Sequence, residues 1–169
     1  YKIELGVLEI PMNQIVGIAA ADQRELLYAS NFMPLSKANT EFANTWRHLY
    51  QEFLSDDGLC KPIRCYEYLG KFYVQDGLKR VSVGKFLGIP VMKARVIRIF
   101  PMHMDAQEAA VYFDFLRCYR LTKLYQLQFT QTGFFEKLQT ALGRRPGDRW
   151  SDADRTRCLG HWSVSEYAF

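Results

Sequence analysis

The stretch Phe72-Tyr73-Val74-Gln75-Asp76-Gly77-Leu78-Lys79-Arg80 decides how this chain is read. Phe72, Tyr73 and Val74 favour a strand. Asp76-Gly77 interrupts it, because glycine adopts backbone angles that other residues resist. The residues from Leu78 to Leu87 then predict a helix, stopped by Gly88-Ile89-Pro90. A glycine turn between strand and helix points backbone N–H groups outward at the positive end of a helix dipole, here beside Lys79 and Arg80. Such a corner attracts phosphate or another anion. The same pattern also describes an ordinary corner with two solvated cations, and the local residues do not separate the two readings.

Composition bounds the wider answer. The 169 residues suit one domain, or one domain with an appendage. Apolar residues make up 49% and aromatics 15%, which supplies a core and excludes a disordered chain. A net charge of +4 is too small to imply nucleic acid by itself. Its distribution says more. Lys79, Arg80, Lys85, Lys93, Arg95 and Arg98 fall in a stretch without an acidic residue. Such a field concentrates phosphate-bearing ligands, or is simply one solvated basic face. Strand alternation over Val91 to Phe100 places Lys93, Arg95 and Ile97 on one side and Met92, Ala94, Val96 and Arg98 on the other. The cations therefore do not all share a surface.

No apolar run reaches the roughly 18 residues a membrane span needs, so no membrane partner is expected. Cys60, Cys65, Cys118 and Cys158 lack the spacing of a metal knuckle. They read as reduced, partly buried thiols, which suits the cytoplasm. The chain starts at Tyr1 without a methionine or a signal peptide and reads as part of a longer protein.

Val7 to Met12 predicts a short strand ending in a proline turn. Residues 17 to 39 read as a long loop, with a short helix open at Ala19-Ala20-Ala21. Thr40 is a cap for a helix carrying Phe42, Trp46, Leu49, Tyr50 and Phe53 at helical spacing, ended by Asp57-Gly58. That stripe reads as core, and His48 as a surface residue. Pro62 to Tyr68 alternates as a strand and turns through Leu69-Gly70-Lys71 into Phe72 to Gln75. Asp105 and Glu108 start a helix with its apolar face on Ala109, Tyr112, Phe113 and Leu116, running toward Leu127. Phe134 to Leu142 is a further helix, and Ser151 caps a last one. The fold class is therefore α+β, with strands giving way to helices near residue 104.

The order of these signals from Leu8 to Ile99 resembles the ParB/sulfiredoxin-like N-terminal domain. The matching parts are Ile10-Pro11, the helix from Glu41, Gly58 with Pro62-Ile63, Asp76-Gly77-Leu78-Lys79-Arg80, Phe86-Leu87-Gly88 and Met92-Lys93-Ala94-Arg95-Val96. The resemblance implies a ParB-like domain over residues 1–103, a small mixed sheet with helices, and a helical extension over 104–169 packed on it. Family members bind CTP or ATP at this turn, and some hydrolyse it or act as nucleases. Carried residue by residue, Gly77 admits the phosphate, Lys79 and Arg80 neutralise it, and Asp76 orients the turn or a magnesium-bound water. Ser82 is a further phosphate contact, or an ordinary first-turn serine.

Leu78 departs from the family. It stands where "GERR" has glutamate, "DGHHR" histidine and "GGCHR" cysteine. Without the cysteine, sulfiredoxin chemistry is not expected, and without the glutamate one magnesium contact is missing. The Asn-Arg motif of chromosome-partitioning ParB proteins is also absent, and no helix-turn-helix is readable after residue 104. No P-loop, GxGxxG, HExxH or GxSxG pattern occurs. His103 with Asp105 is too small a set for a metal site, so no metal ligand or catalytic residue is assigned.

The resulting expectation is a phosphate-binding turn, taking nucleotide or DNA phosphate, in a bacterial transcriptional regulator or other DNA-associated protein. Its rivals are a weak magnesium-dependent NTPase or nuclease, and a degenerate domain acting through a protein partner. The oligomeric state is not legible.

Overall fold

The computed structural model describes residues 1–19, 27–35, 37, 40–55 and 61–165, the last five as backbone only. The expected helix stop at Asp57-Gly58, most of Ala19-Ala20-Ala21, Cys60 and the His161 side chain lie outside the described residues. The chain divides into two compact units, Tyr1–Met102 and His103–Phe169.

The first unit is α+β. Five strands, β1 (Lys2–Pro11), β2 (Ile15–Ile18), β3 (Ile63–Tyr68), β4 (Lys71–Asp76) and β5 (Val91–Ile99), form one mixed sheet in the order β1-β5-β3-β4-β2. Helices α1 (Glu41–Leu54) and α2 (Leu78–Phe86) belong to the same unit, and a 3-10 turn at Met12–Gln14 joins β1 to β2. The hairpin between β3 and β4 turns through Leu69 (φ 50) and Gly70 (φ 79). Two consecutive left-handed residues give the turn whose twist matches antiparallel strands. The Glu67 carboxylate accepts from the Gly70 amide at 2.7 Å and holds that turn.

Alternation decides which side chains are buried. Met92, Ala94 and Val96 of β5, Ile63 and Cys65 of β3, and Phe72 and Val74 of β4 are buried, while Lys93, Arg95 and Arg64 are exposed. The expected split of β5 is therefore observed. Its fourth inward residue, Arg98, lies opposite Glu67 in the parallel β3–β5 register and forms a buried ion pair with it. Burial pushes the Cys65 thiol up to about 12, so it is an inert core group.

Three expectations change in this unit. The first strand begins at Lys2 rather than Val7, because antiparallel pairing with β5 extends to Lys2 opposite Ile99. Ile15–Ile18, of which Gly17 and Ile18 open the expected loop, is a strand paired in parallel with β4. Four residues carry too little periodicity to show this, and the neighbouring strand supplies the order. The α1 stripe of Phe42, Trp46, Leu49, Tyr50 and Phe53 is only half-buried, with Trp46 stacked on Tyr50 at 5.9 Å and edge-on to Phe86 at 5.4 Å. Thr40 caps α1 as expected, accepting from the Ala43 amide at 3.2 Å, and His48 is exposed.

In the second unit α3 spans Ala106–Thr122, α4 Phe134–Ala141 and α5 Asp152–Ser165. Lys123 adopts a left-handed conformation and ends α3 before Leu127, short of the expected run. The buried face of α3 is Tyr112, Phe115, Cys118 and Leu121, whereas Phe113 is 55% exposed. Of the expected face, Tyr112 is buried and Ala109 and Leu116 are half-buried, and only Phe113, 100° round the helix from Tyr112, falls outside it. Cys118, Leu121, Leu124, Leu127, Phe135, Trp150 and Cys158 form the core. Ser151 caps α5, and its hydroxyl and amide hydrogen-bond the Asp154 carboxylate. These bonds, with the Arg144 guanidinium at 2.6 Å, pull Asp154 down to about 2. The arginine cluster is thus partly ion-paired, Arg155 meeting Asp152 as well.

Candidate functional site at the start of helix α2

Gly77 is the N-cap of α2, with φ 101 and ψ 23. Glycine is required twice here. The left-handed conformation disfavours any side chain, and a Cβ would lie 2.6 Å from Ile63 Cγ2. The first intrahelical bond runs from the Val81 amide to the Gly77 carbonyl at 3.1 Å. The amides of Leu78, Lys79 and Arg80 therefore have no acceptor within the helix, and no side chain of the described residues caps them.

That end of α2 opens onto a cavity of about 330 Å³ lined by Leu27, Tyr28, Phe42, Asp76, Gly77, Leu78 and Lys79. Tyr28 and Phe42 meet edge to face at 5.5 Å. The Lys79 ammonium sits 5.0 Å from the centre of the Phe42 ring, a cation–π distance. The volume lies within the range of small-ligand sites. The residues combine an apolar wall, a cation and a helix N-terminus.

The predicted set divides around this turn. Asp76, Gly77 and Lys79 line the cavity. Arg80 is directed elsewhere. Its guanidinium donates to the Lys61 carbonyl and lies 3.5 Å from the Asp76 carboxylate. It lines a second cavity, of about 230 Å³, together with Glu9, Lys61, Ile63 and Lys93. Ser82 is fully buried, and its hydroxyl accepts from the Trp46 indole N–H at 2.9 Å. The assignment of Ser82 as a phosphate contact is therefore corrected. At 100° per residue, Ser82 falls on the same inward face as Leu78, one turn earlier. Leu78 is itself buried, so the position at which the sequence departs from the resembled motif is packed into the core.

The wider basic stretch divides similarly. Lys85 lies 5.0 Å from the Phe32 ring, and burial lowers its pKa. Arg98 is inside the sheet, paired with Glu67. Asp105 accepts from the amides of Gln107 and Glu108, both at 2.8 Å, and so serves as the α3 cap. Among the described residues, no three His, Cys, Asp or Glu side chains gather as metal ligands. No helix among them is long and apolar enough to cross a membrane. Sequence reasoning missed Tyr28 as a cavity residue, since it lies in an aperiodic loop held by the Tyr28–Pro34 bridge. It took Phe42 only as part of a core stripe, which is half right.

No protein-family model matches the chain, and no curated protein matches it. Among solved structures, sulfiredoxin from Arabidopsis thaliana is similar over 56% of this chain and 86% of its own, with 20% identity and a TM-score of 0.38.

Proposed function

We propose that the first unit is a ParB/sulfiredoxin-type domain that binds a nucleotide, or a related phosphate ester, at the N-terminus of α2. The observation that carries this reading is the uncapped, left-handed glycine start of α2 opening onto a cavity that also holds Lys79 and the Tyr28–Phe42 pair. Phosphate oxygens accept from the free amides of the first turn and from Lys79. The base lies against the aromatic wall. Arg80 acts at one remove, fixing the turn through the Lys61 carbonyl and Asp76.

Hydrolysis is not part of the proposal. Leu78 can neither hold a metal nor move a proton. Among the described residues Asp76 is the one carboxylate lining the cavity, so magnesium would take its other ligands from phosphate oxygens and water. A place in a bacterial regulatory or DNA-associated protein, and a cytoplasmic one, belongs to the same proposal and rests on the family resemblance alone. The second reading is a degenerate domain working through protein contacts, favoured by the burial of Leu78 and the engagement of Arg80.

A thermal-shift panel of nucleoside triphosphates, with and without magnesium, tests the proposal. Binding to the native state raises the melting temperature by mass action. A rise with CTP or ATP is expected, and no rise with any nucleotide at millimolar concentration supports the degenerate reading.

A further inference from the structure

The open face of the sheet carries a second arrangement that the α2 site does not use. On this face Arg64 lies directly opposite Arg95 in the β3–β5 ladder. Both are exposed, and neither has an acidic partner among the described residues. Like charges directly opposite each other destabilise a sheet, and this pair adjoins exposed Lys93 on the same strand. Asp76 of β4 lies opposite Arg64 in the β3–β4 register but ion-pairs with Arg80, and Glu4 and Glu9 stand at the β1 edge, opposite Ile97 and Lys93. The next row along holds Tyr66 between Ile97 of β5 and Tyr73 of β4, and Tyr68 follows on the same side with 38% of its surface exposed.

We infer that this face binds single-stranded nucleic acid. Two unneutralised arginines side by side favour a ligand with closely spaced negative charges. The adjoining row of flat rings offers stacking surface to unpaired bases, which a duplex keeps inside its own stack. A phosphodiester backbone over Arg64, Arg95 and Lys93, with a base on Tyr68, satisfies both features; the half-buried Tyr66 ring already carries the Lys2 ammonium, 5.5 Å from its centre. The face is distinct from the α2 cavity, since no residue named here lines that cavity.

The test is fluorescence anisotropy of the whole chain with a labelled oligothymidine of about 15 nucleotides and a duplex of the same length, at about 50 mM and about 200 mM salt. Single strands are expected to bind more tightly than duplex. The double variant Arg64→Gln/Arg95→Gln is expected to weaken binding by about tenfold or more, with a salt slope shallower by about 1.4, as for two lost phosphate contacts. Tyr68→Ala, at a part-exposed position, is expected to weaken single-strand binding by about fivefold or more and leave duplex binding unchanged. Lys79→Gln is expected to bind the oligonucleotide like the parent, which separates this face from the α2 site. The inference is overturned by absence of single-strand binding at the lower salt, by equal affinity for duplex, or by binding that survives the double arginine change. Loss of oligonucleotide binding in Lys79→Gln overturns it as well. Melting temperatures of the variants exclude loss of fold as the cause.

Discussion

The first turn of α2 carries two cations and the strand β5 three, and in both places one is part of the scaffold while the rest face a cavity or solvent. In α2, Arg80 ties the turn to the Lys61 carbonyl and Asp76, whereas its neighbour Lys79 lines the cavity. In β5, Arg98 is buried against Glu67, whereas Arg95 is exposed beside Arg64. The difference is one of phase within the element. A charge count along the sequence therefore overstates the field that a ligand meets, and periodicity corrects it: in the helix by 100° per residue, in the strand by alternation.

The largest effect is expected where an inward cation loses its partner. Glu67→Ala leaves Arg98 buried without its carboxylate and releases the Gly70 amide of the hairpin turn. Breaking a buried pair from one side costs about 3–5 kcal/mol, so denaturant melts of this variant should show a large loss. A loss under about 1 kcal/mol would show that Arg98 reaches water, and would remove it from the scaffold side of the comparison.

Next is Gly77→Ala, which meets both the left-handed backbone and the Ile63 methyl. A cost of about 1–3 kcal/mol is expected, together with weaker nucleotide binding because the turn must shift. Unchanged stability would mean that the turn relaxes freely and is not preorganised.

The adjacent cations give a smaller and sharper contrast. Arg80→Ala should lower stability by about 1–2 kcal/mol through the freed Lys61 carbonyl. Lys79→Gln should change it by less than about 0.5 kcal/mol yet abolish most of the nucleotide-induced thermal shift. Equal behaviour of the two variants in both measurements would erase the proposed division of roles.

Much of the first unit was legible from sequence because its signals are local. The Thr40 cap, the Leu69-Gly70 turn, the Asp76-Gly77 break and the alternation of β5 each fall within a few residues. β2 was not legible, since four residues become a strand only beside β4. The candidate site was half legible. Gly77 and Lys79 follow from the motif, but the burial of Ser82 is decided by Trp46, distant in sequence, and the direction of Arg80 by the Lys61 carbonyl ahead of β3. Tyr28 carried no periodic signal at all. In the second unit the caps were readable, and on the α3 face Tyr112 is buried as expected while its equally apolar neighbour Phe113 is not.

Phosphate on the amides of the first turn of α2 is read directly by backbone NMR during a nucleotide titration. Saturable shifts are expected at Leu78, Lys79 and Arg80, accompanied by the Phe42 ring protons and reduced in Lys79→Gln. A titration that moves only resonances elsewhere, or leaves those three amides in place at millimolar nucleotide, would contradict phosphate binding at this turn.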